Sequence, residues 1–194
     1  MLGLIEHPPE TYERVVAIAA TSEGVSRREI GRHTWANQRA MWNMPREGLK
    51  QLYDQLPGEK PGFEEVWRLT GGNPRMLGRL YETGWNAEAV IGDLRDEKGL
   101  NTFTASLTGE ERLWLEEAIN DPDTLMSRER IPLMNRLVEL NLIIDNLPDR
   151  DPRPWIDTPP PPKKDPELGI GKYVAWQSPL HREAVRRALE GVKP

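Results

Sequence analysis

The sequence contains no cysteine, only three histidines and no long hydrophobic run. The lack of cysteine excludes disulfides, thiolate metal sites and a cysteine nucleophile. The histidines lie far apart without the spacing of metal ligands, so no metal site is predicted. No apolar stretch approaches the roughly 20 residues that a membrane-spanning helix needs, and the N-terminus lacks the features of a signal peptide. We therefore expect a cytoplasmic protein that does not contact a membrane.

An excess of positive charge is also missing. The chain carries 26 Lys and Arg against 31 Asp and Glu, which gives a formal net charge of −5. Proteins that bind nucleic acid through bulk charge have an excess of basic residues, so this balance argues against that mode of binding. Charged residues make up 29% of the chain and arginine exceeds lysine, a composition that fits a thermophile.

Catalytic motifs are missing as well. The sequence has no Gly-x-x-x-x-Gly-Lys-Ser/Thr phosphate-binding loop and no apolar strand ending in Asp-Glu that could hold magnesium. Its serines do not stand in the Gly-x-Ser-x-Gly pattern of a nucleophile elbow. We therefore predict no catalytic residue in this chain.

Residues 1–44 are predicted to form a first unit. The apolar run at residues 15–20 indicates a buried strand or, alternatively, a short helix. The only strongly basic stretch follows at residues 26–46. Its arginines are either a solvated surface or contacts to phosphate or to an acidic partner. These candidate contacts are Arg27, Arg28, Arg32, Arg39 and Arg46.

Residues 45–104 are predicted to form a small helical bundle. Asn43 near Pro45, Asn73 before Pro74, and Asn86 are typical of residues that begin a helix. Apolar residues follow at the spacing of a buried helix face, and Gly99 is typical of a helix end.

Residues 105–194 are predicted to form a winged-helix domain. Thr108 and Glu111 have the spacing of a capping box. A helix at residues 131–140 precedes a strand at 142–144, a proline-rich loop at 147–171, a strand at 172–176 and a final helix that begins at Ser178-Pro179. This is the element order of a winged helix, in which the hairpin is the wing. The predicted fold class is therefore mainly α, formally α+β, with a two-stranded wing.

The most informative motif is Gly71-Gly72-Asn73-Pro74-Arg75. Two glycines allow another group to approach the backbone closely. The Asn-Pro pair begins a helix, and a helix N-terminus can bind phosphate. Arg75 in the first turn would reach the same place. The alternative is an ordinary helix start whose arginine faces water.

This motif resembles the lid of archaeal ATPases of the STAND branch of the AAA+ superfamily. The resemblance implies that Pro74, after Gly72 and Asn73, contacts a bound nucleotide and that Arg75 senses its phosphate. A winged helix follows the lid in this family. Residues 136–143 and 173–180 resemble its third helix and its two wing strands.

The resemblance extends to the first unit. Residues 15–20 resemble the fourth core strand of such an ATPase, with Thr21 or Ser22 in place of its polar sensor. The family's P-loop, magnesium-binding acidic strand and first three core strands have no counterpart here and would precede residue 1. The resemblance therefore implies the C-terminal portion of such an ATPase, with a core remnant at residues 1–44, a lid at 45–104 and a winged helix at 105–194.

A regulatory or interaction role follows from this resemblance. It implies no ATP hydrolysis and no cofactor for the chain alone. With a P-loop partner subunit, it implies ATP or ADP with magnesium, because the P-loop supplies most phosphate and magnesium contacts in this chemistry.

Two other functions fit the sequence. A winged helix can bind nucleic acid through a helix at residues 130–140 and the tip of the wing. The candidate nucleic-acid contacts are Arg128, Arg130, Arg136, Lys163 and Lys164. Alternatively, tryptophans anchor a protein-interaction module on a larger assembly. Trp155 in the proline-rich loop is the best such anchor, whereas Trp67, Trp114 and Trp176 are expected to pack in the core.

Overall fold

The computed structural model describes residues 41–145 and 164–191, together with Glu29, Ile30, Arg39 and Leu147. The predicted strand at residues 15–20 and Trp155 lie outside these residues. Eight α-helices lie in the described segments between residues 41 and 191. They are α1 (Arg46–Gln55), α2 (Phe63–Thr70), α3 (Pro74–Glu82), α4 (Ala87–Glu97), α5 (Leu100–Ala105), α6 (Gly109–Asn120), α7 (Ile131–Glu139) and α8 (Pro179–Glu190).

A 3₁₀ helix and two short strands complete the described structure. The 3₁₀ helix spans Pro122–Met126, between α6 and α7. Strand β1 (Ile143–Ile144) pairs antiparallel with β2 (Ala175–Trp176), so that Ile143 faces Trp176. The prediction of a mainly helical fold with a two-stranded antiparallel sheet is confirmed. The elements from α6 to α8 also follow the order predicted from the sequence for residues 105–194.

Side-chain caps define four of the helix starts, as the sequence predicts. Asn73 accepts hydrogen bonds from the backbone N–H groups of Arg75 and Met76, and Asn86 accepts one from Ala89. Thr108 forms both hydrogen bonds of a capping box with the third residue of α6. Ser178 accepts from the backbone of α8. Such caps satisfy the N–H groups that the first helical turn leaves unpaired.

The second strand is shorter than predicted. Sequence analysis places a strand at residues 172–176, but only Ala175 and Trp176 pair with β1. The backbone N–H groups of Lys172, Tyr173 and Val174 instead donate to the carboxylate of Asp123, at 2.6, 2.8 and 3.1 Å. The absence of a side chain at Gly171 allows this contact, because a Cβ there would lie 2.4 Å from the Asp123 carboxylate.

Asp123→Ala is expected to lower the free energy of unfolding by about 2 kcal/mol, because three N–H groups would lose a charged acceptor. Urea unfolding measures this change. Asp93→Ala, at an exposed position on α4, is the control and should change the stability by less than about 0.5 kcal/mol. Equal effects of the two substitutions would contradict a clamping role for Asp123.

One hydrophobic cluster runs through the described helices. It combines Leu49 and Val66 from α1 and α2 with Leu137 and Ala184 from α7 and α8. Helix α8 packs against α2, α4, α5, α6 and β2. Trp176 is buried as predicted, and its indole N–H donates to the carbonyl of Ala118 at 3.1 Å. Trp67 and Trp114 are partly buried and pack against the same core.

None of the helices in the described parts of the chain is both long enough and apolar enough to cross a bilayer.

Candidate functional site

The glycine pair of the Gly-Gly-Asn-Pro-Arg motif lies where three chain segments meet. The segment before α1 contributes Met44, whose N–H donates to the carbonyl of Gly72 at 2.9 Å. Asn43 Nδ2 donates to the carbonyls of Gly71 at 3.3 Å and of Gln177 at 3.1 Å. Asn73 Nδ2 reaches the same Gln177 carbonyl at 3.3 Å. These six residues are called the glycine junction below.

Close approach at the glycine junction involves the chain's own atoms. Gly72 has φ +84°, and a Cβ there would lie 2.2 Å from the carbonyl oxygen of Met44. Gly71 has φ +57°, and its Cβ would lie 2.8 Å from Cδ of Pro179 at the start of α8. The glycines therefore allow the segment before α1, the α2–α3 turn and the start of α8 to pack together.

The N-terminus of α3 is capped from within the chain. Asn73 Oδ1 accepts from the N–H groups of Arg75 at 3.0 Å and Met76 at 3.2 Å. Because these N–H groups already have an acceptor, a phosphate at this place would be met by side chains. Pro74 and Arg75 are exposed at the outer side of the turn.

The Arg75 side chain belongs to a charged group that we call the Glu97 cluster, formed by Arg75, Arg79, Glu97 and Lys98. Glu97 Oε2 lies 2.8 Å from Arg79 Nη1. Its other oxygen, Oε1, lies 3.6 Å from Arg75 Nη2 and 3.9 Å from Lys98 Nζ. The Arg75 side chain is 67% exposed, whereas those of Arg79 and Lys98 are 20% and 18% exposed.

The cationic surroundings alter the acidity of Glu97. Partial burial raises the pKa of this carboxyl group, but the hydrogen bond and charge of Arg79, with the charges of Lys98 and Arg75, outweigh it and hold the pKa below its usual value. Glu97 is therefore ionised at neutral pH.

His181, in the first turn of α8, lies near the same cluster. It is 7% exposed, and burial lowers its pKa to about 4, assisted by the positive charges of Lys98, Arg79 and Arg75 and opposed by Glu97. Ser178 Oγ lies 2.8 Å from Nδ1 of the ring. The imidazole is therefore neutral at physiological pH, and acid would place a charge inside the packing of α8.

Comparison with known proteins adds one finding. Residues 1–80 match the family model of an ATPase domain found predominantly in Archaea. The match includes the glycine pair and most of α3 and ends before α4. No curated protein and no solved structure matches the chain. The chain is thus similar to an archaeal ATPase domain over its first 80 residues.

Several predicted residues of the matched region fall outside the described structure. These are Thr21, Ser22, Arg27, Arg28 and Arg32. Arg39 is exposed. Arg46 forms an ion pair with Glu64, and its guanidinium lies over the ring of Phe63, 5.5 Å from the ring centroid. Arg46, at the start of α1, thus has its charge partner on α2.

Most candidate nucleic-acid contacts that the structure describes are paired within the chain. Arg130 forms an ion pair with Glu117 and lies over Trp114. Arg136 pairs with a carboxylate and lies over an aromatic ring in the same way. Lys164 contacts the carboxylate of Asp121. Arg128 is exposed, and Lys163 lies outside the described residues.

The contacts of Asn43, Arg79 and Glu97 in this region are not predicted by the sequence analysis. Asn43 is predicted to begin α1, but the cap position is taken by Pro45, and the Asn43 amide is used in the glycine junction. Arg79 stands four residues after Arg75, a spacing that places both on one face of α3 and could have indicated a shared partner. Glu97 carries no local signal that relates it to α3.

Proposed function

We propose that this chain is the nucleotide-sensing lid and winged-helix part of an archaeal STAND-type ATPase. It would act as a regulatory fragment on nucleotide held by a P-loop partner subunit and would not hydrolyse ATP alone. The match of residues 1–80 to an archaeal ATPase domain supports the ATPase relationship. In this proposal residues 45–104 are the lid and residues 105–194 are the winged helix.

The observation that carries the proposal is the position of Arg75. Its side chain is largely exposed in the first turn of α3, immediately after the glycine junction. A guanidinium at this place can donate two parallel hydrogen bonds to a phosphate group. The turn below it holds both the segment before α1 and the start of α8 through Asn43 and Asn73.

This arrangement suggests how a phosphate contact could affect the rest of the chain. A pull on Arg75 would move the start of α3, and Asn73 would transmit that movement to the Gln177 carbonyl that precedes α8. When bound, nucleotide with magnesium would supply the phosphate charge. The chain's own contribution is to bind that charge through Arg75 and to position α8 accordingly.

Isolation of the chain from its source cell at moderate salt, with mass spectrometry of the proteins and nucleic acids that accompany it, tests the partner. Recovery with a P-loop subunit supports the proposal. Recovery with nucleic acid, with an assembly that lacks a P-loop protein, or alone contradicts it. ATP hydrolysis by the purified chain would also contradict it.

Arg75→Ala in the reconstituted pair is expected to raise the nucleotide concentration needed for half-maximal response about five- to tenfold, since a charge-assisted hydrogen bond to phosphate is lost. Titration of the pair with ATP and with ADP measures this shift. Arg186→Ala is the matched control, because Arg186 pairs with Glu183 within α8. Equal shifts for the two variants would argue against sensing by Arg75.

A further inference from the structure

The carboxylate of Glu97 contacts three cationic side chains at the site of the proposed phosphate sensor. We infer that Arg75, Arg79 and Lys98 form a phosphate-binding site that Glu97 occupies from within the chain, so that Glu97 competes with an incoming phosphate. The inference rests on the proposed function, because it adds two binding residues and a built-in competitor to the site of Arg75.

The charge balance of the Glu97 cluster favours binding of a further anion. Both Glu97 oxygens are used: Oε2 by Arg79 at 2.8 Å, and Oε1 by Arg75 and Lys98 at 3.6 and 3.9 Å. One negative charge therefore faces three positive charges. The same three cations act on buried His181, with Glu97 as the opposing acid. A phosphate dianion would neutralise this excess better than a single carboxylate.

The three cations differ in freedom. The side chains of Arg79 and Lys98 are mostly buried, whereas that of Arg75 is largely exposed and lies farther from Glu97 than that of Arg79 does. A site with two mostly buried cations and one exposed arginine can accept a ligand by movement of the arginine side chain alone. Arg75 would leave Glu97 and move onto the phosphate.

Glu97 also stands at an electrostatically unfavourable place on its helix. It is the last residue of α4, where the helix dipole presents partial negative charge that disfavours an acidic side chain. The three cations of the cluster offset this effect and lower the pKa of the Glu97 carboxyl group. A competing phosphate that takes those cations therefore displaces a carboxylate that has little other support.

The test is binding of inorganic tripolyphosphate and of ATP to the full chain, measured by isothermal titration calorimetry at low salt. Glu97→Gln is expected to tighten tripolyphosphate binding about five- to tenfold, because the internal competitor is removed. Arg79→Gln and Arg75→Gln should weaken it. Glu88→Gln is the matched control: it removes the same charge from the same helix, at the other end, where Glu88 pairs with Arg187.

The outcomes separate this inference from the proposed function. Unchanged binding in Glu97→Gln, or equal tightening in Glu88→Gln, overturns the inference that Glu97 competes with phosphate. Neither result bears on the proposed P-loop partner, which the isolation experiment tests separately. Tightening for both probes supports a site for phosphate as such. Tightening for ATP alone supports a site for nucleotide phosphate. Thermal unfolding of each variant confirms that the compared proteins are folded.

Discussion

Replacement of Gly72 by alanine is expected to lower the free energy of unfolding by about 3 kcal/mol. The new Cβ would lie 2.2 Å from the carbonyl oxygen of Met44, which is backbone and cannot rotate away. The positive φ of +84° adds strain for any residue with a side chain. Relief of the clash would separate Met44 from Gly72 and break their 2.9 Å hydrogen bond.

Gly78→Ala provides the matched control for this substitution. Gly78 lies within α3, and a Cβ there meets nothing within 4 Å. Alanine in a helix interior is favoured over glycine by about 0.5–1 kcal/mol, so this variant should be stabilised. Urea unfolding of both variants measures the contrast. A Gly72→Ala protein as stable as the wild type would show that the segment before α1 does not pack against the α2–α3 turn.

Acid is expected to destabilise the protein through His181. The pKa of this buried imidazole is lowered from 6.5 to about 4 on folding, so the unfolded chain binds a proton more readily than the folded chain. The stabilising contribution is complete above pH 6.5 and is lost as the pH falls toward about 4. The expected loss is about 1 kcal/mol by pH 5.5 and about 3 kcal/mol by pH 4.

Urea unfolding between pH 7.5 and 5.5 measures this effect before most carboxylates titrate. Arg75 and Arg79 on α3, with Glu97 and Lys98 at the end of α4, are the charged groups that act on the ring. His181→Gln removes the titrating group and should flatten the dependence of stability on pH in this interval. A slope that is the same in His181→Gln and in the wild type would assign the titration to another residue.

The parts of the fold that sequence predicts correctly depend on short-range contacts. Asn73, Thr108 and Ser178 each bind N–H groups two or three residues later, so their role can be recognised from spacing alone. The order of helices and strands from α6 to α8 follows from the same local signals. Gly99 is recognised as a helix end, but the sequence does not predict that α5 begins at the next residue.

Long-range contacts account for what the sequence does not predict. Asn43 looks like a helix-start residue, yet one of its partners is the carbonyl of Gln177, 134 residues away. Residues 172–174 have the composition of a strand, but the carboxylate of Asp123 takes their N–H groups. The candidate site shows the same division, because Arg75 is marked by its motif whereas Glu97 reaches it only through the packing of α3 and α4.

The place of α8 in the chain limits when its contacts can form during synthesis. Helices α2, α4, α5 and α6 all pack against α8, which comes after the other described elements in the sequence. During synthesis, the surfaces of these helices that pack against α8 therefore remain uncovered until residues 179–190 leave the ribosome. Contacts between residues so distant in sequence form slowly, because a long segment must lose entropy before they are made. The earlier helices thus depend on a late segment, and chaperone binding before that point would protect their apolar faces from aggregation.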